Sequence, residues 1–562
     1  MRPFPILGEL LCLSMVLAAP AMPAHGANCA WLATQTPGAA VLSESPPLGL
    51  TDMTLSEDHL SLTWQGESNM TLAIETADGL DPLGMFAPYR TGLISSQELN
   101  ACTLPRSPDA SCFYRVVEDP SGVTNPAGRV VVFSDLHMSP FASASITTGL
   151  LEAAVSEWDG ILSSDTNGYC SVDATGKRTC NPLLWQSALA NGQAACPSPD
   201  AVLLLGDFEY YDYKHYYQQI TGDASEANWK QLLGKQYEYI LAKTAQAFPG
   251  IPIYPCLGNN DTYTNDYEIA VGDEFLRDTA PLFHEAGLTG VVSYADFAAT
   301  FTNAGCYSAP FGQGQIVAVE SVFLSSLYAS DTAPGSNQLA YLSDRLAACE
   351  AQGRPAWVLS HIPPGINAYD TWSHWQTGDV SYVGTNWRED FLNPFNKIVA
   401  QYQDTIGSIL SGHYHLRAWQ MANDPATSNA TDAIHIMGAM LDNHGNNPAF
   451  TVLIYNRQTL EILREATYAL PKPVYSHKTG PATWSTIYNM NRGYQLPDLA
   501  AGSLLTAWSN MAAAGSAGFD FFRAQYNCGL APYVQDATNW PVYRGELRWI
   551  NPEQFLDNVP LP

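Results

Sequence analysis

The sequence predicts an α/β fold in which helices flank a β-sheet. Two observations support this: short apolar runs of strand length end at Gly, Ser or Asn, and helix-like stretches separate those runs. The runs are Val130–Phe133, Val202–Leu205, Ile251–Leu257, Ala356–Leu359 and Ile406–Leu410. The helix-like stretches include Ile146–Leu162, Asn228–Phe248 and Asn337–Gln352. This alternation is typical of an open α/β sheet, where functional sites gather beyond the carboxyl ends of the strands.

Residues 1–26 are typical of a secretory signal peptide. Arg2 precedes the apolar stretch Leu10–Ala19, and small residues follow near Ala24-His25-Gly26. Cleavage near Ala27 would make the mature chain a secreted or periplasmic protein. No later stretch reaches the roughly 18 apolar residues that span a bilayer, so no transmembrane segment is expected.

The cysteine content indicates an oxidising compartment. Loss of the signal peptide removes Cys12 and leaves an even number of cysteines, which is consistent with disulfide bonds. Cys170 and Cys180 flank a short loop and are the predicted first pair. None of the cysteines has the spacing of a zinc knuckle.

Residues 27–127 are expected to form a small β-rich domain. Period-two stretches such as Leu60–Trp64 and Met70–Ile74 are broken by Gly, Pro and Asp. A role in packing or in shaping the substrate site is favoured over an independent binding module.

The largest domain is expected over residues 128–470. Ala433–Met440 and Phe450–Tyr455 would supply later strands that close its sheet. Residues 471–562 are expected to form a partly helical extension, with one helix near Leu499–Ala513.

Polar side chains that could bind metal ions follow the five strand-like runs. Two pairs of them are two residues apart, and in an extended backbone such pairs leave the chain on the same face. Two cations about 3.5–4 Å apart need a shared carboxylate, with imidazole and oxygen ligands completing each shell. Asp207 is the natural bridge, and Asn259 would supply a neutral amide oxygen. The seven candidate ligands are Asp135, His137, Asp207, Asn259, His361, His413 and His415.

The ordered set of motifs resembles the calcineurin-like metallophosphoesterases. The motifs are D-x-H, G-D, G-N-x-D, a single H and G-H-x-H, and they span roughly Arg129–Trp419. A lone D-x-H or G-D is more often a capped turn, whereas the ordered set needs several independent coincidences. Within this superfamily, His361–Gly365, Asn396–Ile409 and Asn447–Thr451 resemble the acid sphingomyelinase-like phosphodiesterases. That branch also contains endopolyphosphatases, some of which carry G-N-N-D as this chain does.

The resemblance implies a β-sandwich flanked by helices, with a dinuclear metal site, and it implies that the extension of residues 471–562 packs on the catalytic domain. It divides the ligands into Asp135, His137, Asp207 and His415 for one divalent cation and Asp207, Asn259, His361 and His413 for the other. Zn²⁺ is expected, with Mn²⁺ or Fe as alternatives. A hydroxide that bridges the two ions would attack phosphorus in line, so no covalent enzyme intermediate is required.

Two departures from the family pattern leave the leaving-group acid unassigned. Most relatives have His where this chain has Asn260, and sphingomyelinase-like relatives have a second His where it has Tyr211. Asp212 beside Tyr211 and Asp261 in G-N-N-D are retained, so these four positions are the candidate catalytic residues. Because an amide cannot give a proton, the change favours anhydrides and other good leaving groups, although Asn260 could still bind a phosphoryl oxygen. The alternative proton donors are Tyr211, His215 and His284.

The acidic composition disfavours some partners. The net charge is −29, from 54 acidic and 25 basic residues, which argues against nucleic acid and weakens the polyphosphate hypothesis. Lys214, Arg388 and Arg417 could make the site locally positive. No saposin-like cysteine pattern is present, so the lipid-extracting module of acid sphingomyelinase is not expected.

Three functions remain open at this point. The first is a secreted sphingomyelinase-like phosphodiesterase that acts on a phospholipid headgroup, a nucleotide or a related small phosphoester. The second is an endopolyphosphatase or a nucleotide phosphoanhydride hydrolase. The third is a metal-dependent protein that binds a phosphate ligand and catalyses weakly. A monomer is expected in each case.

Overall fold

The computed structural model describes residues 127–562 with short gaps at 166–168, 170–172, 177, 265, 329–330, 472–481, 483 and 530–534. Before residue 127 it describes the backbone of strands alone. The chain divides into two compact units, Met1–Ala127 and Gly128–Pro562. The predicted signal peptide and Cys170 lie outside the described residues.

The first unit contains two antiparallel sheets, as the period-two pattern predicts. Its strands are β1 (Trp31–Thr34), β2 (Leu42–Ser43), β3 (Gly49–Leu55), β4 (His59–Gln65), β5 (Thr71–Ala77), β6 (Ala87–Ile94), β7 (Leu99–Pro105) and β8 (Phe113–Glu118). The strand orders are β2-β1-β8-β5-β6 and β3-β4-β7, and every pairing in them is antiparallel.

The second unit contains two mixed sheets. The strands of the first are β9 (Gly128–Phe133), β10 (Ala201–Leu204), β11 (Ile253–Pro255), β18 (Ala449–Tyr455), β19 (Ile462–Ala469) and β20 (Ser485–Asn489), in the order β11-β10-β9-β18-β19-β20. The strands of the second are β12 (Tyr307–Phe311), β13 (Gly314–Val319), β14 (Ala356–Ser360), β15 (Ile406–Ser411), β16 (Ala418–Asn423) and β17 (Ala430–Ile436), in the order β12-β13-β14-β15-β17-β16. In the first sheet β11, β10 and β9 are parallel to one another, and the antiparallel strands β18, β19 and β20 extend it on one side. In the second sheet the central strands β13, β14, β15 and β17 are parallel, and the antiparallel strands β12 and β16 form its edges.

The two mixed sheets pack face to face through aromatic side chains. The ring of Trp357 on β14 lies 4.9 Å from that of Tyr455 on β18, and the ring of Phe311 on β12 lies 5.3 Å from the same tyrosine. The Trp357 indole N–H donates to the Leu460 carbonyl at 2.6 Å, so the buried indole keeps a hydrogen-bond partner. The predicted β-sandwich is confirmed.

Helices flank the sandwich, as predicted. They are α1 (Ala144–Glu152), α2 (Trp158–Leu162), α3 (Pro182–Ala195), α4 (Tyr213–Thr221), α5 (Glu226–Ala247), α6 (Glu274–Phe283), α7 (Tyr294–Ala304), α8 (Ala333–Ala351), α9 (Ala368–Gln376), α10 (Glu389–Gln401), α11 (Met490–Tyr494), α12 (Ala501–Asn510), α13 (Ala517–Tyr526), α14 (Trp540–Arg548) and α15 (Pro552–Asn558). Helix α3 packs on β18, α8 on β13, and α10 on β16 and β17. The helices α12 and α14 of the C-terminal segment cover β17 and β16. None of the described helices is long and apolar enough to cross a membrane.

Two predicted elements differ from the structure. The stretch Ile146–Leu162 is not one helix, because Ala153 and Ala154 take extended backbone angles between α1 and α2. The strand expected over Ala433–Met440 ends at Ile436. The residues that follow leave β17 and bind the backbone beside Asp135, which turns the end of this predicted strand into a loop at the site.

The described cysteines do not form the predicted disulfides. Six cysteines are described, and each is a free, buried thiol; they are Cys180, Cys196, Cys256, Cys306, Cys349 and Cys528. Their burial among apolar side chains gives them the packing role of small hydrophobic residues.

Candidate metal centre

The seven candidate ligands lie at strand ends, where the backbone is strained. Left-handed φ angles are uncommon for non-glycine residues, cost about 1–3 kcal/mol each, and cluster at functional sites. Five of the seven candidates have such angles: Asp135 (φ 50°), His137 (φ 41°), Asp207 (φ 53°), His413 (φ 72°) and His415 (φ 59°). Left-handed turns, rather than the extended backbone that the sequence predicted for the paired ligands, therefore direct these side chains into the site.

Four of the candidates form a buried cluster. The potential ligand atoms of Asp135, His137, Asp207 and His415 all lie within 4.8 Å of one another. His137 Nε2 is 3.2 Å from Asp207 Oδ2 and 3.1 Å from His415 Nε2, and His415 Nε2 is 3.4 Å from Asp135 Oδ1. All four side chains are almost fully shielded from solvent.

The other three candidates form a second group around the Asn259 amide oxygen, and His361 joins this group to Asp207. His361 Nε2 lies 3.3 Å from Asp207 Oδ2 and 3.2 Å from Asn259 Oδ1. His413 Nδ1 lies 2.8 Å from the same amide oxygen. The Asp207 carboxylate therefore contacts one imidazole from each group.

The spacing of the donors fits the binding of divalent metal. Ligand bonds of about 2.0–2.2 Å place neighbouring donors of a tetrahedral shell roughly 3.3 Å apart. The separations of 3.1–3.4 Å in the first cluster and of 2.8–3.3 Å in the second are close to that value. Carboxylate, imidazole and amide oxygen donors suit Zn²⁺, Mn²⁺ or Fe.

Hydrogen bonds outside the cluster orient the ligand atoms. His361 Nδ1 lies 2.5 Å from the Leu205 carbonyl, and His137 Nδ1 lies 3.1 Å from the Glu209 carbonyl. In each case Nδ1–H donates to the carbonyl, so Nε2 is the ring nitrogen that faces the site, the arrangement of metal-binding histidines. Asn259 Nδ2 donates to Asp266 Oδ1 at 2.6 Å, which turns Asn259 Oδ1 inward.

Burial and mutual contact set the charge of the ligands. Burial alone would raise the pKa of Asp207, but His361 and His137 hold it well below its ordinary value, so the carboxylate stays ionised. Burial raises the pKa of Asp135 to about 6. Burial lowers the pKa of His413 to about 3 and that of His415 well below its ordinary value. Neutral imidazoles are the form that binds metal ions.

Burial alone would lower the pKa of His361, whereas the neighbouring Asp207 and Asp135 raise it to about 10. Among the described residues, the ionic contacts of these two aspartates are made with histidines rather than with Lys or Arg. The cluster therefore has room for cationic charge.

Two glycines allow the ligand strands to approach each other. A Cβ on Gly258 would lie 2.1 Å from Asp207 Oδ1, and a Cβ on Gly412 would lie 2.0 Å from Ser134 Oγ. No side chain fits at either position without moving a ligand, which explains the glycine in the G-N-N-D and G-H-x-H motifs.

Asn260 and Asp261 both contact the Asp207 segment. The Asn260 backbone N–H donates to Asp207 Oδ1 at 2.8 Å, and its side-chain Nδ2 donates to Oδ2 at 3.1 Å. Asp261 is buried and accepts from the backbone N–H groups of Asp207 (2.8 Å) and Gly258 (2.7 Å). Tyr237 of α5 donates to the same carboxylate at 2.5 Å. These contacts give Asp261 the geometry of a residue that orients the loop.

Tyr211 lies against a ligand histidine, whereas the other alternative donors do not. Its ring stacks on that of His137 with centroids 4.3 Å apart and planes 21° from parallel. Burial raises the pKa of Tyr211 above its ordinary value, so the phenol keeps its proton. His284 is buried beside Phe297 and has Nε2 2.8 Å from the Val292 carbonyl. His215 is exposed, with its ring against Tyr216.

The remaining predicted side chains lie at the surface or in the core. Asp212 is exposed, with a left-handed φ of 47°, at the start of α4. Lys214 lies over the Trp229 ring at 5.8 Å, and Arg388 pairs with Asp390 at 3.6 Å. Arg417 is buried and paired with Glu465, so it does not add positive charge to the cleft.

A loop after β17 supplies Asn443, which the sequence did not single out, and His444, which the sequence favoured as a surface or hydrogen-bonded histidine. Met440 N–H donates to the Ser134 carbonyl at 2.9 Å and Leu441 N–H to the Asp135 carbonyl at 3.1 Å, which fastens the loop to the first ligand segment. Asn443 and His444 extend from it. The His444 ring lies 4.5 Å from that of His415. The polar run Asp442–Asn447 directly after an apolar strand was the available signal, since site residues are often on such loops.

The sequence patterns also did not identify Tyr267 and Asp266, which lie beside His413 and Asn259. Tyr267 Oη lies 3.4 Å from His413 Nε2, and Asp266 holds Asn259 as described above. Both residues follow the G-N-N-D motif by a few positions, but no pattern in the sequence marks them as site residues.

Comparison with known proteins agrees with this geometry. Residues 128–417 match the calcineurin-like phosphoesterase family, and the chain belongs to that family. It is therefore a phosphoesterase, and its family and buried Asp/His cluster indicate the use of divalent metal.

Curated relatives lie in the sphingomyelinase-like branch, which confirms the predicted resemblance. The chain is 24% identical over 331 residues to human acid sphingomyelinase-like phosphodiesterase 3b, covering 56% of this chain and 66% of the relative. It is 23% identical over 402 residues to the mouse protein of the same name, covering 68% and 80%. It is 23% identical over 328 residues to sphingomyelin phosphodiesterase B of Dictyostelium discoideum, covering 56% of this chain and 47% of that relative.

Similar solved structures include PhoD, with a TM-score of 0.38 and 11% identity over 79% of this chain and 89% of that one. Purple acid phosphatase PPD1 from yellow lupin has a TM-score of 0.33 and 12% identity, covering 74% of this chain and 70% of that one.

Proposed function

We propose that the protein is a secreted, sphingomyelinase-like phosphodiesterase that uses two divalent cations. The observation that carries this proposal is the position of Asp207, whose Oδ2 lies 3.2 Å from His137 Nε2 and 3.3 Å from His361 Nε2. One carboxylate is thus shared by two groups of metal-binding side chains, as a bridging ligand must be.

The seven candidate ligands would hold the cations, with Asp207 between them. Cations bound there would lower the pKa of a water molecule and offset the negative charge of the phosphoryl oxygens. Zn²⁺ is the metal we expect. Asp261 would keep the Asp207 turn in place through its backbone hydrogen bonds.

The chain supplies hydrogen bonds to the substrate rather than a strong acid for the leaving group. Asn260 is directed to Asp207 and has no proton to give. Tyr211 keeps its proton and lies over His137, so it would donate a hydrogen bond to an oxygen of the substrate phosphate. Poor leaving groups would then be cleaved slowly, and good ones well.

The lack of a strong acid for the leaving group favours a second candidate function, the hydrolysis of nucleotide or polyphosphate anhydrides. A phosphate or nucleotide leaves without protonation more readily than an alkoxide does. The net charge of −29 opposes the approach of a long polyanion, so a nucleotide is the better anhydride substrate.

The organisation of the chain is part of the proposal. Residues 1–26 would be a signal peptide, residues 27–127 a β-rich accessory domain, 128–470 the catalytic domain and 471–562 an extension packed on it. The secreted protein would act as a monomer.

The test is hydrolysis of a matched panel by the purified mature protein after its metal content has been measured. The panel contains bis-p-nitrophenyl phosphate, p-nitrophenyl phosphate, ATP, polyphosphate and sphingomyelin. We expect metal-dependent turnover that Asp207→Asn abolishes and that Asp404→Asn, a matched change on an exposed turn, leaves intact. Preference for the diesters would support the phosphodiesterase, and preference for ATP would support the anhydride hydrolase. Two bound metals without turnover would favour a phosphate-binding protein instead.

A further inference from the structure

The hydroxyl of Tyr211 is held by a side chain from the loop after β17. Asn443 Nδ2 donates to Tyr211 Oη at 3.0 Å. The exposed Asn443 follows Asp442, which is buried and paired with Arg178. Leu441 N–H is bound to the Asp135 carbonyl, so the loop that carries Asn443 is anchored on the ligand segment.

The direction of this hydrogen bond determines where the phenol proton can go. A tyrosine hydroxyl has one proton to donate and lone pairs that accept. Because Asn443 donates, the Tyr211 oxygen accepts in this bond and its proton is not used there. Stacking on His137 fixes the ring independently, which leaves rotation of the O–H bond as the remaining freedom.

We propose that Asn443 is a positioning residue that directs the Tyr211 proton toward the substrate phosphate. The inference rests on the proposed function and adds a residue to it. Phosphate oxygens accept hydrogen bonds. A phenol that points its proton at them therefore attracts the phosphate, and a phenol that points a lone pair at them repels it. The amide of Asn443 donates to the phenol oxygen, so it favours the orientation with the O–H directed to the phosphate before the substrate binds. Such pre-organised donors stabilise a transition state.

Reversal of the hydrogen bond is the test. Asn443→Asp replaces the donor by a carboxylate, which only accepts, so the Tyr211 proton would turn away from the cleft. Asn443→Ala removes the partner without reversing it. Asn443→Gln keeps an amide donor. We expect kcat/KM on bis-p-nitrophenyl phosphate to fall about tenfold in Asn443→Asp and about threefold in Asn443→Ala, with Asn443→Gln closest to the natural protein.

A double-mutant cycle distinguishes the effect of the added negative charge from the effect of the reversed hydrogen bond. In the Tyr211→Phe background the phenol is gone, so a charge effect would remain and an effect on proton direction would vanish. We expect Asn443→Asp to change kcat/KM less than twofold in that background, while metal content and melting temperature stay the same in all variants.

The outcomes distinguish this inference from the proposed function. Equal losses from Asn443→Asp with and without the Tyr211 hydroxyl would overturn the inference, as would equal activities of the Asp and Ala variants. In both cases, metal-dependent hydrolysis by the natural protein would leave the proposed function standing. Absence of that hydrolysis in the natural protein, with metals bound, would overturn both.

Discussion

The second unit buries charge in two places, and the two differ in what neutralises it. At the strand ends, Asp135 and Asp207 face one another among histidines. Near β17 and β19, Glu465 is paired with the Arg417 guanidinium, and both side chains are fully buried. Arg417 also donates to the Ile436 carbonyl at 2.7 Å.

The electrostatics of the two places differ accordingly. Burial raises the pKa of Asp135 to about 6, whereas at Glu465 Arg417, with a smaller contribution from His435, overcomes the effect of burial and brings the pKa down to about 2. A buried carboxylate that is paired with an arginine is already neutralised within the chain, and the pair has a structural role. Buried carboxylates that meet histidines instead form a site for a cation from outside the chain.

The largest expected effect is on catalysis at the strand ends. Asp207→Asn should reduce kcat/KM for the preferred substrate at least about 10³-fold, because a neutral amide cannot bridge two cations. Metal content measured by elemental analysis should fall with activity. Retention of both metals and of activity would contradict the assignment of Asp207 as the shared ligand.

The matching change in the ion pair should affect stability instead. Glu465→Gln leaves the Arg417 charge buried without a counter-charge, which should lower the free energy of unfolding by about 3–5 kcal/mol. Denaturant unfolding would measure it, with the exposed Glu461→Gln as control, expected to stay within about 0.5 kcal/mol of the natural protein. Loss of bound metal in folded Glu465→Gln would show that the two places are not independent.

Metal removal offers a third comparison. A cation present at about 100 times its dissociation constant stabilises the folded state by about 2.7 kcal/mol. Chelation should therefore lower the melting temperature of the natural protein and of Glu465→Gln alike, and restoring Zn²⁺ should raise it again. Asp207→Asn should respond much less. An equal change in the melting temperature of all three proteins on chelation would show that the stabilising metal does not bind at Asp207.

The ion pair also predicts a pH dependence. Because the pKa of Glu465 is depressed in the folded state, its contribution to stability is complete above its unfolded value near 4.5 and is lost as pH falls toward about 2. The stability difference between the natural protein and Glu465→Gln should shrink over that interval. Unfolding in denaturant at a series of pH values would measure it, and a difference that stays constant would contradict the assigned pKa.

The smallest effect is expected at Asn260, which is hydrogen-bonded to Asp207. Asn260→His would add a group able to protonate a leaving group, and we expect turnover of phenyl phosphodiesters to rise severalfold while ATP hydrolysis is unchanged. Rates measured on leaving groups of increasing pKa would show the trend. Equal changes for esters and anhydrides would contradict the idea that this chain lacks an effective acid.

Much of the sandwich could be predicted because its strands are buried on both sides. Val130–Phe133 and Ala356–Leu359 are continuous apolar runs, and both lie within observed strands, β9 and β14. The end of β17 could not be predicted, because Met437–Met440 are as apolar as a strand. Met440 nevertheless leaves the sheet and donates its backbone N–H to the Ser134 carbonyl, and that contact depends on a residue some 300 positions away.

The sequence by itself determined the strands and the order of the candidate ligands, because these depend on local patterns of apolar runs and short motifs, and the resemblance carried by those motifs implied the family and the sandwich. Only the tertiary structure decided how those side chains meet: the left-handed turns that aim them, the Asp266 contact that turns Asn259 inward, and the Asn443 bond to Tyr211. It also showed Arg417 paired in the core and His284 bound to a carbonyl. The physical reason is that a side chain's role depends on partners brought close by folding, and separation along the chain carries no information about them.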